Sequence, residues 1–525
     1  MVEFYFSSED YVLKFDKKSI LLLVSTRYIP GYTNVIWNIL QSAQKANAVV
    51  NLVLFEETNS NFAYDFLSLT KSKKLRQQAI TQCNEIISTV GGNITLTFLA
   101  QKRLFNVLTQ IINQRRSQID DELIRSIHGA WVGRNWKTMS FSVVGPREYI
   151  SWCSELEKYN FGNNLVKNFF QEKFYDLVLV PNGRYPAQLG MKRAAVEKSS
   201  TVLFYERDNS KTFLQNFQTQ DLESLSTYLS EWLKLTTESE RALWKSWSNE
   251  WLINQRVDTR QNPFVWPGEK MKRESKFHDL IKKNSTSLVI PIFTSSVGER
   301  FSNLPRHLNG WKSQPDAVLA CANKILADGL IPHVRLHPNL QWKSLREMAE
   351  LVVPLERAGI SYQLPWEGPD SYYILEQSST IITWASTIAL EALAIGKFAF
   401  NLDISSYQLV SGIKTLNSYS LKDVNLTTGY SIDLDNVLLA VYAYKNFGVE
   451  DWNNSKPNFA SVTEVKRFFR FKKVWTSFTM IFSLIVNPWK SNSRNLMRVL
   501  IFFFGKKFSR KILIMILKSK SGSII

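Results

Sequence analysis

Short runs of apolar residues alternate with longer stretches of helical spacing along most of this chain. In the first 210 residues the apolar runs are Ser19–Tyr28, Val49–Phe55, Ile94–Leu99, Asp176–Val180 and Thr201–Tyr205. A second series consists of Ser287–Phe293, His333–Leu336, Ile360–Leu364, Thr380–Thr383 and Phe398–Leu402. Uninterrupted apolar runs of this length are typical of parallel strands covered by helices on both faces. The pattern therefore predicts an α/β fold with two doubly wound, Rossmann-like domains in tandem.

A break in the pattern separates the two series. The segment Asp221–Val257 is polar, rich in tryptophan and helical in spacing, and Pro263 and Pro267-Gly268 follow it. Proline and glycine at this density interrupt regular structure. We predict an N-terminal α/β domain over residues 1–260, a linker over 261–286, a C-terminal α/β domain over 287–460 and a tail over 461–525.

Positive charge is concentrated in that tail. It holds 14 lysines and arginines against one acidic residue, Glu464, and so contributes +13 of a formal net charge of +18. A protein that coats nucleic acid would carry such charge along its whole body, so we expect no nucleic-acid partner. The apolar runs of the tail are shorter than the roughly 18 residues that span a bilayer. Because they alternate with basic clusters, we predict a segment that lies on an anionic membrane surface; the alternative is a helical hairpin packed on the body.

The start of the chain and its cysteines indicate the cellular compartment. Acidic residues, among them Glu3 and Glu9, precede the first apolar run, which is unlike a signal peptide. The three cysteines are far apart and form no metal or redox motif, as expected of reduced thiols in the cytosol. We therefore expect a cytoplasmic protein that is peripheral on the inner face of the cell membrane.

Polar side chains follow two of the predicted strands in the second series. Arg335 and His337 end one strand, and Pro338 stops its continuation. Ser386 and Thr387 lie where another strand passes into a helix. Ligands of open parallel sheets bind at the carboxyl edge, and a helix N-terminus attracts anions, so these residues are candidates for binding phosphate. A structural histidine and a simple helix cap are the alternatives.

Further groups extend this candidate donor site. Glu391 lies one turn beyond Thr387, where a ribose hydroxyl pair would suit its carboxylate and a salt bridge to a neighbour is the alternative. The first strand of the second series runs into Ser295 and Ser296, with Glu299 just beyond. Small hydroxyl residues allow a ligand to approach the backbone closely, although a plain turn would have the same composition.

Two adjacent strands of the first series also end in polar residues. One runs into Asn182, Gly183 and Arg184, and the next into Glu206 and Asp208. Gly183 permits a tight turn from which Arg184 would project. We interpret this edge as an acceptor site in which Glu206 or Asp208 acts as the base; a structural ion pair between Arg184 and Glu206 is the alternative.

The sequence carries no convincing motif for a metal ion or a cofactor. Asp433 and Asp435 resemble a metal-binding Asp-x-Asp pair, but their place before an apolar helix favours a helix cap. Glycine-rich nucleotide loops and paired cysteine and histidine ligands do not occur. We therefore expect neither a bound metal nor a cofactor.

In their order along the chain, these motifs resemble those of bacterial capsule and surface polysaccharide biosynthesis glycosyltransferases. That group, of GT-B type, includes the capsular Kdo transferases and is similar to polysialyltransferases and CDP-glycerol glycerophosphotransferases. The resemblance covers about Asp176 to Phe400. It implies two domains that face each other. It also implies that His337, Ser386 and Thr387 contact the phosphate of an activated donor, while the N-terminal domain holds the acceptor.

The sequence thus predicts a glycosyltransferase that moves a sugar from a nucleotide-sugar donor to a surface polysaccharide or lipid-linked glycan. Its catalytic candidates are Glu206, Asp208 and His337. Fixed hydrogen-bond donors would stabilise the charge of the leaving group in place of a metal. Two alternatives are a nucleotide-sugar 2-epimerase, against which the basic tail counts, and a non-catalytic membrane-associated adaptor.

Overall fold

The structure is a computed structural model of the chain. It describes residues 4–5, 8–26, 29–56, 65–99, 120, 122–124, 126–127, 146–183, 185–208, 211–216, 222–234, 236–257, 276–284, 288–295, 310–338, 340, 345–367, 371–427, 430–446, 449–450 and 515. The predicted tail, apart from Met515, and most of the predicted linker lie outside these residues. Among the helices described, none combines the length and the apolar character that crossing a bilayer requires.

Strands and helices alternate along the chain as the apolar pattern predicts. The strands are β1 (Phe4–Tyr5), β2 (Ser19–Ser25), β3 (Val49–Phe55), β4 (Ile94–Leu99), β5 (Leu177–Pro181), β6 (Thr201–Asp208), β7 (Lys211–Gln215), β8 (Val289–Phe293), β9 (Ile331–Arg335), β10 (Ser361–Gln363), β11 (Thr380–Thr383), β12 (Phe398–Asn401), β13 (Lys414–Thr415) and β14 (Val449–Glu450). The helices are α1 (Ser8–Phe15), α2 (Ile29–Lys45), α3 (Asp65–Val90), α4 (Pro146–Glu172), α5 (Pro186–Glu197), α6 (Leu222–Lys234), α7 (Glu238–Val257), α8 (Lys276–Lys283), α9 (Gln314–Ala327), α10 (Leu345–Arg357), α11 (Ser371–Glu376), α12 (Ile388–Ala394), α13 (Gln408–Ser411) and α14 (Leu434–Asn446).

The described residues form two units, each built on one sheet. The first unit contains β1 to β7 and β14, and its sheet has the order β1-β7-β6-β5-β2-β3-β4, with β14 paired to β7. The strands from β6 to β4 in this order are parallel, whereas β1, β7 and β14 add antiparallel pairings at one edge. The five apolar runs of the first series form β2 to β6, which confirms the predicted parallel sheet. The sequence pattern does not predict the antiparallel strands, because they are only two to five residues long.

Both faces of the first sheet are buried at its central strands, which explains their uninterrupted apolar runs. Alternate residues of a strand project to opposite faces. In β2, Leu22 packs in a cluster with Leu40 of α2, whereas its neighbour Leu23 packs in a separate cluster with Val166 of α4. A strand with helices on each side therefore has no position at which a polar side chain would be exposed to water.

The second unit has a parallel sheet of order β10-β9-β8-β11-β12-β13. The second apolar series forms β8 to β12, again as predicted. Its two faces are also covered: Ile292 of β8 packs in a cluster with Val318 of α9, and Phe293 packs in another with Val441 of α14. The chain therefore contains two parallel-stranded sheets with helices on both faces.

Helices α6 and α7 belong to the second unit. The sequence pattern predicts an N-terminal domain over residues 1–260, which would include both helices, so this boundary is wrong. On α7, Trp244 stacks on Tyr442 of α14, with the ring centroids 4.6 Å apart and the planes 9° from parallel. The Ser248 hydroxyl donates to the Leu438 carbonyl at 2.7 Å. The described contacts thus divide the chain before Leu222. The reason is that half-buried tryptophans of α7 pack against a helix almost two hundred residues away, which the local pattern could not show.

Candidate functional site

The second sheet reverses its strand order between β8 and β11. The chain proceeds from β8 to β9 and β10 on one side, and from β11 to β12 and β13 on the other. Such a reversal leaves a crevice outside the carboxyl ends of the two central strands, where ligands of open α/β sheets bind. Phe293, at the end of β8, pairs with Arg335 on one side and Thr383 on the other. The turns that carry Ser295, His337 and Ser386 therefore leave the sheet side by side.

His337 lies in the turn that follows β9. Its backbone N–H donates to the Thr294 hydroxyl at 2.8 Å, and its carbonyl accepts from the Leu340 N–H at 2.9 Å. Thr294 is buried, and its own N–H donates to the Arg335 carbonyl at 3.0 Å. The backbone of His337 is therefore fixed on both sides, while its side chain is only half-buried. The sequence signal for this contact is the hydroxyl of Thr294 directly after a buried strand.

Arg335 has a structural partner at this edge. Its side chain is buried, and its Nη1 donates to the Leu364 carbonyl at 2.8 Å. Leu364 directly follows β10, so the bond ties the edge strand of the sheet to β9. The assignment of Arg335 to donor phosphate remains a prediction, since the contact described for its guanidinium is to the protein.

The turn after β11 presents Ser386 and Thr387, both half-buried. The Ser386 N–H donates to the Thr383 hydroxyl at 3.2 Å, and the Ser386 carbonyl accepts from the Tyr407 hydroxyl at 2.6 Å. Thr387 occupies the cap position of α12, but its side chain makes no capping hydrogen bond. Within the described residues, the hydroxyls of Ser386 and Thr387 and the N–H groups of Thr387 and Ile388 have no hydrogen-bond partner. These donors can serve an anion. Because α12 has only seven residues, the individual donors matter more than a long helix dipole.

Glu391 is buried in the first turn of α12. Desolvation raises the pKa of its carboxyl group, and the Lys445 ammonium and a hydrogen bond from the Tyr372 hydroxyl oppose that rise. Its Oε2 atom has no hydrogen-bond partner among the described residues. The Lys445 ammonium lies over the Trp251 ring, 4.6 Å from its centroid. A buried carboxylate oxygen that accepts no hydrogen bond is suited to binding a ligand hydroxyl group, which would donate to it.

The first strand of this sheet provides one described donor-side residue. Ser295 follows Thr294 and is half-buried. With the Gln314 amide oriented to satisfy both groups, that side chain exchanges two hydrogen bonds of 3.1 Å with the Ser295 backbone. Ser296 and Glu299 lie outside the described residues, so their assignment remains a prediction.

In the first unit, Glu206 near the end of β6 is held by two side chains. The Tyr32 hydroxyl donates to one carboxylate oxygen, and the Asn182 amide donates to the other. Tyr32 lies on α2, and no local pattern predicts its role, because its partner is 174 positions away. Asn182 and Glu206 were predicted to lie on adjacent strand ends, and the pairing of β5 with β6 brings them together.

The turn after β5 requires its glycine. Asn182 has φ +59° and Gly183 has φ +84°, both in the left-handed region. A Cβ atom at Gly183 would lie 2.5 Å from the Phe204 ring, so no other residue fits without displacing that ring. Arg184 and the side chain of Asp208 lie outside the described residues. The predicted alternative of an Arg184–Glu206 ion pair therefore stays untested.

Asp433 caps a helix, whereas Asp435 forms an ion pair with a distant helix. The Asp433 carboxylate accepts from the Asn436 N–H at 3.1 Å, which caps α14 and confirms the predicted helix cap. Asp435 pairs with Lys245 at 2.8 Å. Across the part of the chain that the structure describes, no three histidine, cysteine, aspartate or glutamate side chains converge as a metal site would require.

Comparisons with known proteins give only distant similarities. No protein-family model and no curated protein matches the chain. Among solved structures it is similar to Thermosulfurimonas dismutans KpsC, a beta Kdo 2,7 transferase, at 14% identity and a TM-score of 0.32, over 57% of this chain and 88% of that one. It is also similar to a putative UDP-N-acetylglucosamine 2-epimerase from Listeria monocytogenes, at 10% identity and a TM-score of 0.27, over 90% and 98%. A third is Phytolacca americana UGT2, at 8% identity and a TM-score of 0.24, over 82% and 93%. At these values the similarities carry no argument about activity.

Proposed function

We propose that this protein is a glycosyltransferase that moves a sugar from a nucleotide-activated donor to a hydroxyl group of a surface polysaccharide or lipid-linked glycan. One observation carries the proposal: the carboxyl edge of the second sheet brings the turns of His337, Ser386 and Thr387 together at the point where the strand order reverses. An imidazole, two hydroxyls and unused backbone N–H groups at one edge suit the phosphates of an activated sugar.

Glu391 supplies the other half of the donor site in this proposal. Its Oε2 atom is buried and has no partner among the described residues, so a ribose hydroxyl donating to it would remove an unsatisfied acceptor. The raised pKa of this carboxyl group is consistent with a position that a ligand completes. Ser295, Ser296, Glu299 and Arg335 complete the proposed donor-binding set.

The proposed reaction breaks the bond between the anomeric carbon of the sugar and the donor phosphate oxygen. Negative charge develops on that oxygen, and the hydrogen-bond donors of His337, Ser386 and Thr387 stabilise this charge. The acceptor oxygen forms the new bond to the anomeric carbon and gives up its proton. The products are the extended glycan and the nucleotide leaving group.

In the first unit we assign the acceptor to the edge that carries Glu206. The carboxylate of Glu206, or that of Asp208, takes the proton of the acceptor hydroxyl in an inverting reaction. Tyr32 and Asn182 fix the orientation of the Glu206 carboxylate, since each donates to one of its oxygens. Gly183 and Arg184 complete the proposed acceptor edge.

The tail over residues 461–525 is assigned to the anionic inner face of the cytoplasmic membrane. Its net charge of +13 and its interspersed apolar runs support this assignment. A lipid-linked acceptor would be reached from that surface. The protein as a whole is then cytoplasmic and peripheral to the membrane.

A thermal-shift panel of CMP-, CDP-, UDP- and GDP-linked sugars tests the proposal on the full chain. We expect one class of nucleotide to raise the melting temperature, and His337→Ala to weaken that response. The stabilising donor is then incubated with and without glycan acceptors. Transfer to an acceptor supports the proposal, whereas conversion of the donor without an acceptor would identify an epimerase. Stabilisation by none of the four classes would contradict the donor site and favour a non-catalytic adaptor.

A further inference from the structure

We infer that the buried hydroxyls of Thr294 and Thr383 hold the two phosphate-binding turns in place and so set the affinity for the phosphate of the donor. The inference rests on the proposed function. Thr294 directly follows β8 and Thr383 ends β11, the two strands between which the order of the sheet reverses. Each hydroxyl accepts the backbone N–H of a turn that carries a proposed phosphate ligand.

Thr294 acts across β8 and β9. Its hydroxyl accepts the His337 N–H at 2.8 Å and lies 3.4 Å from the Arg335 carbonyl, to which it donates. The side chain is 2% exposed, so water cannot substitute for it as an acceptor. Removing the hydroxyl removes this hydrogen bond from the His337 N–H at the point where the chain turns away from the sheet. The hydrogen bond that fixes the backbone next to the His337 Cα is then lost, and the position of the imidazole is less well defined.

Thr383 begins a longer chain of hydrogen bonds. Its hydroxyl accepts the Ser386 N–H at 3.2 Å and donates to the Asn401 side-chain carbonyl at 2.7 Å. The Asn401 amide in turn donates to the Ser405 hydroxyl at 3.1 Å. Thr383, Asn401 and Ser405 are each at most 1% exposed. Linked buried bonds of this kind hold one another in a single arrangement, since each hydroxyl orientation determines the next.

The Ser386 turn needs such support, because its backbone is unfavourable by itself. Ala385 has φ +46°, a left-handed conformation that residues with a Cβ atom rarely adopt. The Thr383 and Tyr407 hydroxyls engage the N–H and the carbonyl of Ser386 on its two sides. The N–H of Ser386 is thereby directed to the protein, and those of Thr387 and Ile388 are left for a ligand. Thr383 thus determines which backbone N–H groups of the turn can donate to a ligand.

The experiment replaces each threonine by valine, which has the same shape and no hydroxyl, and by serine, which keeps the hydroxyl. Thr380→Val is the matched control, because Thr380 is also buried and lies at the opposite end of β11. Dissociation constants are measured on the full chain for CMP, CDP, UDP and GDP. We expect Thr294→Val and Thr383→Val each to weaken binding about tenfold, roughly the effect of one misplaced hydrogen bond. The serine variants and Thr380→Val should bind as the wild type does.

The outcomes separate this inference from the proposed function. If the wild type binds none of the four nucleotides, both fail. If it binds one and both valine variants bind equally well, the positioning role is refuted while the donor site stands. Folded serine variants that bind as weakly as the valine variants would show that the methyl group matters and not the hydroxyl. Should one valine variant not fold, the other decides, because the two threonines lie on different strands.

Discussion

Replacing His337 by alanine removes the imidazole, a hydrogen-bond donor, from the candidate site. The backbone N–H of His337 stays bonded to Thr294, and its carbonyl stays bonded to the Leu340 N–H, because neither bond uses the imidazole. The side chain is half-buried, so its loss opens no large cavity. The turn should therefore keep its path when the imidazole is gone.

The expected loss of activity is far larger than the expected loss of stability. Removing one preorganised hydrogen-bond donor that stabilises the charge developing on the leaving group costs on the order of 3 kcal/mol in the transition state, which is about a hundredfold in rate. Truncation of a half-buried side chain away from the core destabilises the folded state by about 1 kcal/mol. Transfer by His337→Ala should thus fall about a hundredfold in a protein that remains folded.

The assay compares this variant with His278→Ala. His278 is a half-buried histidine of the same unit, and its Nδ1 lies 2.8 Å from the Tyr373 hydroxyl. Transfer rates are measured with the donor identified by thermal shift, and unfolding is measured in urea for both variants. Near-normal turnover by folded His337→Ala, or an equal loss in His278→Ala, would refute the role of His337 at the donor.

Four further outcomes are expected. Gly183→Ala should lower the free energy of unfolding in urea by about 3 kcal/mol, because its Cβ atom would clash with the Phe204 ring. Gly329 also has a positive φ but has open space around it, so Gly329→Ala should cost about 1 kcal/mol, and equal losses in the two variants would contradict the clash. Burial raises the Glu391 pKa above its ordinary value of 4.5, so this carboxyl group lowers the stability of the wild type as the pH rises above 4.5. In urea, the stability of Glu391→Gln relative to the wild type should increase over the same rise in pH, and a difference that does not change with pH would contradict the raised pKa. Transfer should persist in excess chelator, and loss that magnesium restores would reveal a metal site. A chain lacking residues 463–525 should co-sediment less with anionic vesicles than the full chain; equal sedimentation would make the tail a packing element.

The sequence by itself determined the strands that build both sheets. The apolar runs became β2 to β6 and β8 to β12, because a strand buried on both faces must be apolar at consecutive positions, and that is a local property. The carboxyl ends of these strands could likewise be predicted, which placed His337, Ser386 and Glu206 at sheet edges. The antiparallel pairings of β1, β7 and β14 could not be predicted, since strands of two to five residues are too short to show a periodic pattern.

Only the tertiary structure decided which groups each site residue meets. His337 is held by a hydroxyl 43 positions away, and Glu206 by one 174 positions away. Arg335 has the charge for a phosphate, yet its guanidinium bonds the carbonyl that follows β10. Helix α7 joins the second unit through a bond across 190 positions. The physical reason is that burial selects a residue type position by position, whereas a hydrogen-bond partner depends on strand register and on helices packed from distant parts of the chain.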